Sequence, residues 1–281
     1  MSGRFVSRRS FALGSLAAAA LTVMPAARTQ PGQFGAVSAS AADVRVPGPH
    51  KLLQSRLVRT PGYGAATLFW PREPQNRCPV VVTFPGYTGR AEEMHIIGKR
   101  LATHGCAVLA AGSTEPKAFP ENRAEQILRA LDDARGRGEW ASVIDPAKTA
   151  FVGYSMGGGG SLIAAERESV SAVVALNPWA KRGFSKVTAP VLIVGGSNDT
   201  VAPMSEHARP IYTSMKKSRQ RAMLTRIAGR HDSGIINDPR ILSRITAFIK
   251  VHAAGEAAYR PALTAEAEPL TRWQIDPAPG A

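Results

Sequence analysis

The sequence predicts an α/β architecture, a mostly parallel central sheet flanked by helices, and three observations predict it. Short apolar runs rich in β-branched residues alternate with longer segments of helical periodicity. That alternation is the signature of a sheet buried on both faces. The pentapeptide Gly153-Tyr154-Ser155-Met156-Gly157 lies between a short buried strand over 149–152 and a segment over 157–167 that reads as a helix. Strand, sharp turn and helix form the setting of a nucleophile elbow. Lastly, an aspartate and a histidine follow two later strands, at the strand ends where such sheets bind ligands.

Taken in order, 52–58 and 65–70 read as opening strands separated by a Pro61-Gly62 turn. The run 80–84 is apolar and β-branched, as a sheet interior requires. A helix follows over 91–104 and a strand over 107–111. Ala124, Ile127, Leu128, Leu131 and Ala134 give 121–137 one apolar helical face. Strands are expected over 149–152, 172–176, 191–194 and 222–227, and helices over 204–215 and 241–252. Tyr259, Leu263, Leu270 and Trp273 are separated by polar residues and prolines. Residues 259–281 therefore read as an irregular tail, packed on the domain or disordered.

Residues 1–41 read as an export and processing segment. Arg4, Arg8 and Arg9 precede an apolar run, and no acid occurs before Asp43. Ser7-Arg8-Arg9-Ser10-Phe11-Ala12 resembles a twin-arginine signal. The expected location is secreted or periplasmic, with extracellular preferred. Pro25 breaks the apolar run too soon for a membrane span. The catalytic domain is then expected over 42–258, long enough for one substantial core.

The formal charge of the 281 residues is +14. Residues 1–41 hold four arginines and no acid, which leaves +10 for the rest. The basic residues are scattered and no nucleic-acid motif occurs, so a soluble basic secreted protein is expected, not a specific nucleic-acid binder. Two cysteines exclude a zinc cluster. Cys78 and Cys106 each precede a predicted strand. If those strands are neighbours, the thiols could form a disulfide in an oxidising compartment.

A serine hydroxyl needs a base, and the base needs an orienting partner. Asp199 ends the stretch Gly195-Gly196-Ser197-Asn198-Asp199 after one strand, and His231 follows Gly229-Arg230 after the next. The order Ser155, Asp199, His231 is that of α/β-hydrolases. Asp232 and Asp238 are competing carboxylates near the histidine. The backbone N–H of Met156 is the first expected oxyanion donor. Tyr87, in the loop Pro85-Gly86-Tyr87-Thr88-Gly89, is expected to supply the second through its N–H. Trp179, in Asn177-Pro178-Trp179 after the strand over 172–176, is expected to wall the cleft. Few residues separate that strand from Pro190. No large lid domain is expected, and an open cleft favours bulky or polymeric acyl substrates.

The segments Phe84-Pro85-Gly86-Tyr87-Thr88-Gly89, Gly153-Tyr154-Ser155-Met156-Gly157-Gly158-Gly159-Gly160-Ser161, Asn177-Pro178-Trp179 and Asp199-Thr200-Val201-Ala202-Pro203, with the later His231, resemble the bacterial cutinase and polyester-hydrolase family. They lie close to actinobacterial lipases of the dienelactone-hydrolase-like group. The resemblance implies an α/β-hydrolase fold and a secreted, cofactor-free serine esterase acting on cutin-like polyesters, short acylglycerols and synthetic aromatic polyesters. It implies Ser155, Asp199 and His231 as the triad, and Tyr87 and Met156 as the oxyanion hole. Tyr87, Met156, Trp179 and Val201 are implied as the groove lining. The family commonly has histidine where Tyr154 stands and phenylalanine where Asp232 stands.

In the expected reaction Ser155 attacks an ester carbonyl and His231 transfers the proton. The scheme requires no metal and no organic cofactor. The expected partner is an ester or polyester, and the chain is expected to be a monomer. The alternatives are a lipase, lactonase, peptidase or acyltransferase on the same fold, or a non-catalytic surface-binding relative.

Overall fold

The chain is described by a computed structural model over residues 43–277. The proposed export segment lies outside the described residues.

Strands β1 (Leu52–Leu57) and β2 (Gly64–Pro71) form an antiparallel opening pair. They are followed by β3 (Cys78–Phe84), β4 (Ala107–Gly112), β5 (Ile144–Tyr154), β6 (Ala172–Leu176), β7 (Val191–Gly196), β8 (Arg221–Arg226) and β9 (Thr271–Asp276). The sheet runs in the order β1-β2-β4-β3-β5-β6-β7-β8-β9. The six strands from β4 to β8 are mutually parallel, and antiparallel pairings occur only towards the two edges. β3, β4, β6 and β7 are buried along their whole length, which is why they read as unbroken apolar runs.

Helices α1 (His95–Thr103), α2 (Pro120–Gly136), α3 (Met156–Arg167), α4 (Ala208–Ser214), α5 (Pro239–Ile249) and α6 (Pro261–Thr264) complete the main elements. α2, α3 and α4 pack on one face with Leu68, Val80, Phe151 and Ile193. α1, α5 and α6 pack on the other with Val81, Val108, Val152 and Leu192. This is the expected α/β-hydrolase arrangement. Residues 177–190 join β6 to β7 without a helix or strand, so no large lid is inserted there. Among the described residues no helix is long and apolar enough to cross a membrane.

Three expectations change. The first turn of the segment over 91–104 is a 3₁₀ turn, Ala91–Met94, ahead of α1. The end of the chain is not irregular throughout, because Thr271–Asp276 pairs with β8 as an antiparallel edge strand. Its alternating polar residues need no apolar run, since an edge strand is half solvated.

The disulfide is the third. Cys78 and Cys106 are both free and buried. Val80 pairs with Ala107, which puts Cys106 level with Pro79 and Cys78 one residue beyond. Side chains alternate along a strand, so the thiols enter opposite core layers, Cys78 with the α2 side and Cys106 with the α5 side. Burial holds both thiols protonated, pushing Cys78 up to about 12 and Cys106 to about 11.

α5 is capped by Asp238, whose side chain accepts from the N–H of Arg240. It runs into a π-helical turn, Lys250–Ala254, stopped by Gly255 at φ 78°. His252 sits in this turn with its ring 4.4 Å from Phe248 and its Nε2 buried without a partner among the described residues. Burial, then the charges of Arg260 and Arg219, push its pKa down to about 4. Below about pH 6.5 the unfolded chain therefore takes up a proton that the folded chain refuses. The stabilisation is full above about pH 6.5 and is lost as the pH falls towards about 4. The urea midpoint is expected to fall between about pH 7 and about pH 5, and His252→Leu to flatten that slope. An unflattened slope in a folded His252→Leu protein would contradict this assignment.

Candidate active site

The turn from β5 into α3 holds Ser155 at φ 52° and ψ −118°. Such a backbone costs a non-glycine residue about 1–3 kcal/mol and persists only where its surroundings impose it. Here the N–H of Ser155 donates to the Leu176 carbonyl at 2.8 Å. Its own carbonyl accepts from Gly159 at 3.1 Å and from Trp179 at 2.9 Å. The flanking glycines are required by crowding. A Cβ on Gly153 would lie 2.1 Å from the Gly157 carbonyl oxygen, and one on Gly157 would lie 2.4 Å from that of Pro85.

Three of the expected residues converge. The Ser155 hydroxyl lies 2.9 Å from His231 Nε2, and His231 Nδ1 lies 2.8 Å from Asp199 Oδ2. Ser155 is 4% exposed and Asp199 6%, so the chain of hydrogen bonds is largely withdrawn from water. Asp199 Oδ1 accepts from the N–H groups of Val201 at 2.9 Å and Ala202 at 2.8 Å. Burial raises the Asp199 pKa. The bonds from Ala202, His231 and Asn177, with the imidazole charge, outweigh it and hold the carboxyl below its usual range. An ionised Asp199 accepts a hydrogen bond from Nδ1–H and leaves Nε2 free to accept from the serine.

The competing carboxylates are placed elsewhere. Asp232 is exposed. Asp238 is bound by Arg226 at 3.0 Å and by Arg240 at 2.7 Å. Among the other histidines, His207 is buried and bonds to the backbone of Ala180, and His95 packs edge-on against Phe69 at 5.0 Å.

The loop after β3 lies directly against the elbow. A Cβ on Gly86 would sit 3.0 Å from the Ser155 Cβ and 3.1 Å from the Tyr154 ring. Met156 is the first residue of α3, so its N–H has no intrahelical acceptor. The N–H of Tyr87 donates to no acceptor among the described residues. Tyr154 is buried, with its ring 5.2 Å from the His231 ring.

Tyr87 is 47% exposed and Val201 58%. Trp179 is half-buried and packs 5.5 Å from the His207 ring. Phe119, which sequence reasoning passed over, stands 5.9 Å from Trp179 and is 57% exposed. Its signal was an aromatic immediately before a helix-starting proline, a position that the core does not require.

Asn177 was also missed, although its tripeptide was recognised. It is buried at a left-handed φ of 42°. Its Nδ2 donates to Asp199 Oδ2 at 3.0 Å, and its Oδ1 accepts from the Gly234 N–H at 3.0 Å. One amide thus ties the carboxylate to the loop that carries His231. Asn177→Ala would strand the buried Gly234 N–H, remove a bond to Asp199 and put alanine at a strained φ. It is expected to destabilise the protein by about 1–3 kcal/mol. It is also expected to lower kcat more than it raises KM, as steady-state kinetics and denaturant titration would show.

Among the described residues no group of three or more His, Cys, Asp or Glu side chains could hold a metal ion.

The profile of a family described as PETase, PET hydrolase-like, matches residues 26–274. The chain is similar to Cutinase 1 of Thermobifida cellulosilytica, 37% identical over 183 residues, covering 63% of this chain and 70% of that protein. It is similar to a cutinase of Thermobifida fusca, 37% identical over 183 residues, covering 63% of this chain and 60% of the relative. The chain thus spans less than two thirds of the length of that relative. Similarity extends further along the bis(hydroxyethyl) terephthalate hydrolase of Streptomyces coelicolor, 31% identical over 232 residues, covering 78% of this chain and 75% of that protein.

Proposed function

Because the chain belongs to the PET hydrolase-like family, we propose that it is a secreted ester hydrolase working through a serine acyl-enzyme in an open cleft. The observation that carries the mechanism is the hydrogen-bonded series Asp199, His231, Ser155 at 2.8 and 2.9 Å. Ser155 Oγ attacks the ester carbonyl carbon while His231 Nε2 takes its proton. The N–H groups of Tyr87 and Met156 hold the oxyanion as it forms, which needs donors already aimed at that point. The tetrahedral adduct collapses, and His231 protonates the departing alcohol. Water then gives a proton to His231 and attacks the acyl carbon, and as this second adduct collapses His231 returns the proton to Ser155 Oγ and the acid is freed. Asp199 orients the imidazole and stabilises its charged form. Every step uses groups of this chain and needs no cofactor.

Tyr87, Met156, Trp179 and Val201 line the proposed groove, and Phe119 extends it. Exposed aromatic and apolar side chains beside a shallow site suit an acyl chain or an aromatic ester presented on a surface. Relatives named cutinase and bis(hydroxyethyl) terephthalate hydrolase support polyesters and their hydroxyalkyl ester fragments as the substrate class.

The test is turnover by the mature protein on p-nitrophenyl esters of graded chain length, tributyrin, bis(hydroxyethyl) terephthalate and a polyester film. Hydrolysis of short soluble esters and release of acid from the film are expected. Activity on soluble esters with an inert film would overturn the polyester reading. No ester turnover at all would overturn the whole proposal.

A further inference from the structure

We propose that Arg123 is a positioning residue for the oxyanion hole, setting the place of the Tyr87 N–H from inside the protein. The proposal rests on the serine-hydrolase reading and adds to it a residue that touches neither substrate nor triad.

Arg123 lies on α2 and is fully buried. Among the described residues its guanidinium has no ion-pair partner within 4 Å. Burying a cation without a direct ion pair is costly; burial pushes its pKa down to about 10, with the Glu93 charge opposing that shift. What it binds is backbone. Nε donates to the Ala118 carbonyl at 2.8 Å, Nη2 to that of Pro116 at 2.8 Å, and Nη1 to that of Pro85 at 3.3 Å. The fixed fork of a guanidinium can hold three such acceptors at once, which an ammonium cannot do in the same geometry.

Two of these carbonyls control the oxyanion loop. Pro85 is two residues before Tyr87. The Pro116 carbonyl also accepts from the Thr88 N–H at 2.7 Å, one residue after Tyr87. Thr88 is itself strained at φ 57°, a backbone that reverts unless held. Arg123 therefore fixes both flanks of the Tyr87 amide. The support behind it is rigid, because a Cβ on Gly160 of α3 would lie 2.9 Å from the Arg123 Cβ. The same guanidinium also holds Ala118, immediately before Phe119.

The readout must report the oxyanion hole and not the amount of folded protein. The kcat/KM ratio for p-nitrophenyl butyrate against its thiono analogue does this, since unfolded enzyme lowers both equally. Sulfur is larger and a weaker acceptor, so a well-placed pair of N–H donors favours the oxygen ester. Arg123→Met removes all donors at nearly constant length, and Arg123→Lys keeps the charge but not the fork. In Arg123→Met the ratio is expected to fall by about tenfold or more, through kcat more than KM. Arg123→Lys is expected to fall between this variant and wild type, and it carries the test alone if Arg123→Met does not fold. An unchanged ratio in a folded variant overturns the assignment. Ser155→Ala, run alongside, separates the two readings. Retained turnover there overturns the serine mechanism and Arg123's role with it. Loss there with an unchanged ratio in the Arg123 variants overturns the role of Arg123 alone.

Discussion

Ser155→Ala is expected to lower kcat on p-nitrophenyl butyrate by about 10,000-fold or more, with KM little changed. The hydroxyl is the only part of the elbow that forms a bond to substrate in the proposed reaction. Removing it leaves the oxyanion donors and the groove, which bind ester but supply no nucleophile. The substitution should not unfold the protein. Ser155 is held by its backbone, through Leu176, Gly159 and Trp179, and among the described residues its side chain hydrogen-bonds to His231 alone. Loss of that contact costs about 1 kcal/mol. Alanine is no better suited than serine to φ 52°, so the strain is the same in both proteins. Activity within tenfold of wild type would exclude Ser155 as nucleophile, whatever the family.

Asp199→Asn is expected to lower kcat by about 1,000- to 10,000-fold with the fold intact. With its Oδ1 kept on the N–H groups of Val201 and Ala202, the asparagine turns its NH2 towards His231 and can only donate to Nδ1. That places the imidazole proton on Nε2, facing Ser155, where a base is needed. The charge that stabilises the imidazolium in the transition state is lost as well. Asp199 also accepts from Val201, Ala202 and Asn177, so the variant must turn one amide against a donor. A stability loss of about 1–3 kcal/mol should accompany the loss of activity. Near-normal turnover would mean that another group orients His231. The structure offers no ready substitute, because Asp232 is exposed and Asp238 is committed to Arg226 and Arg240.

Much of this site was legible because each proposed catalytic side chain follows a strand that its own sequence pattern predicts. Ser155, Asp199 and His231 follow β5, β7 and β8, and the parallel order brings these strand ends together. What was not legible depends on register or on polar groups facing inward. The cysteine pair looked close because both precede strands. A one-residue offset in pairing sends them to opposite faces. β9 was hidden because an edge strand reading Thr-Arg-Trp-Gln-Ile-Asp has no apolar run. Asn177 stands in a recognised tripeptide, but nothing local shows that its amide bridges Asp199 and Gly234. Arg123 stands beside the apolar helical face begun by Ala124, and an arginine there carries no signal of burial. Its three carbonyl partners come from two loops, and no local pattern announces such contacts.

The departures from the family pattern fall around the histidine. Tyr154, where the resemblance implied histidine, lies with its ring 5.2 Å from that of His231, and Asp232, where it implied phenylalanine, is exposed. Neither touches the hydrogen bonds from Asp199 to Ser155. Their expected effect is on substrate choice, since an exposed carboxylate would weaken contact with an apolar polymer surface.

In the proposed reaction Ser155 carries the acyl group between two half-reactions. The direct measurement is peptide mass mapping of enzyme quenched in acid during turnover of p-nitrophenyl butyrate. A butyryl group on the peptide containing Ser155, absent from Ser155→Ala, is the predicted result. Steady turnover with no acyl group on Ser155, or with the group on another residue, would exclude Ser155 as the acyl carrier.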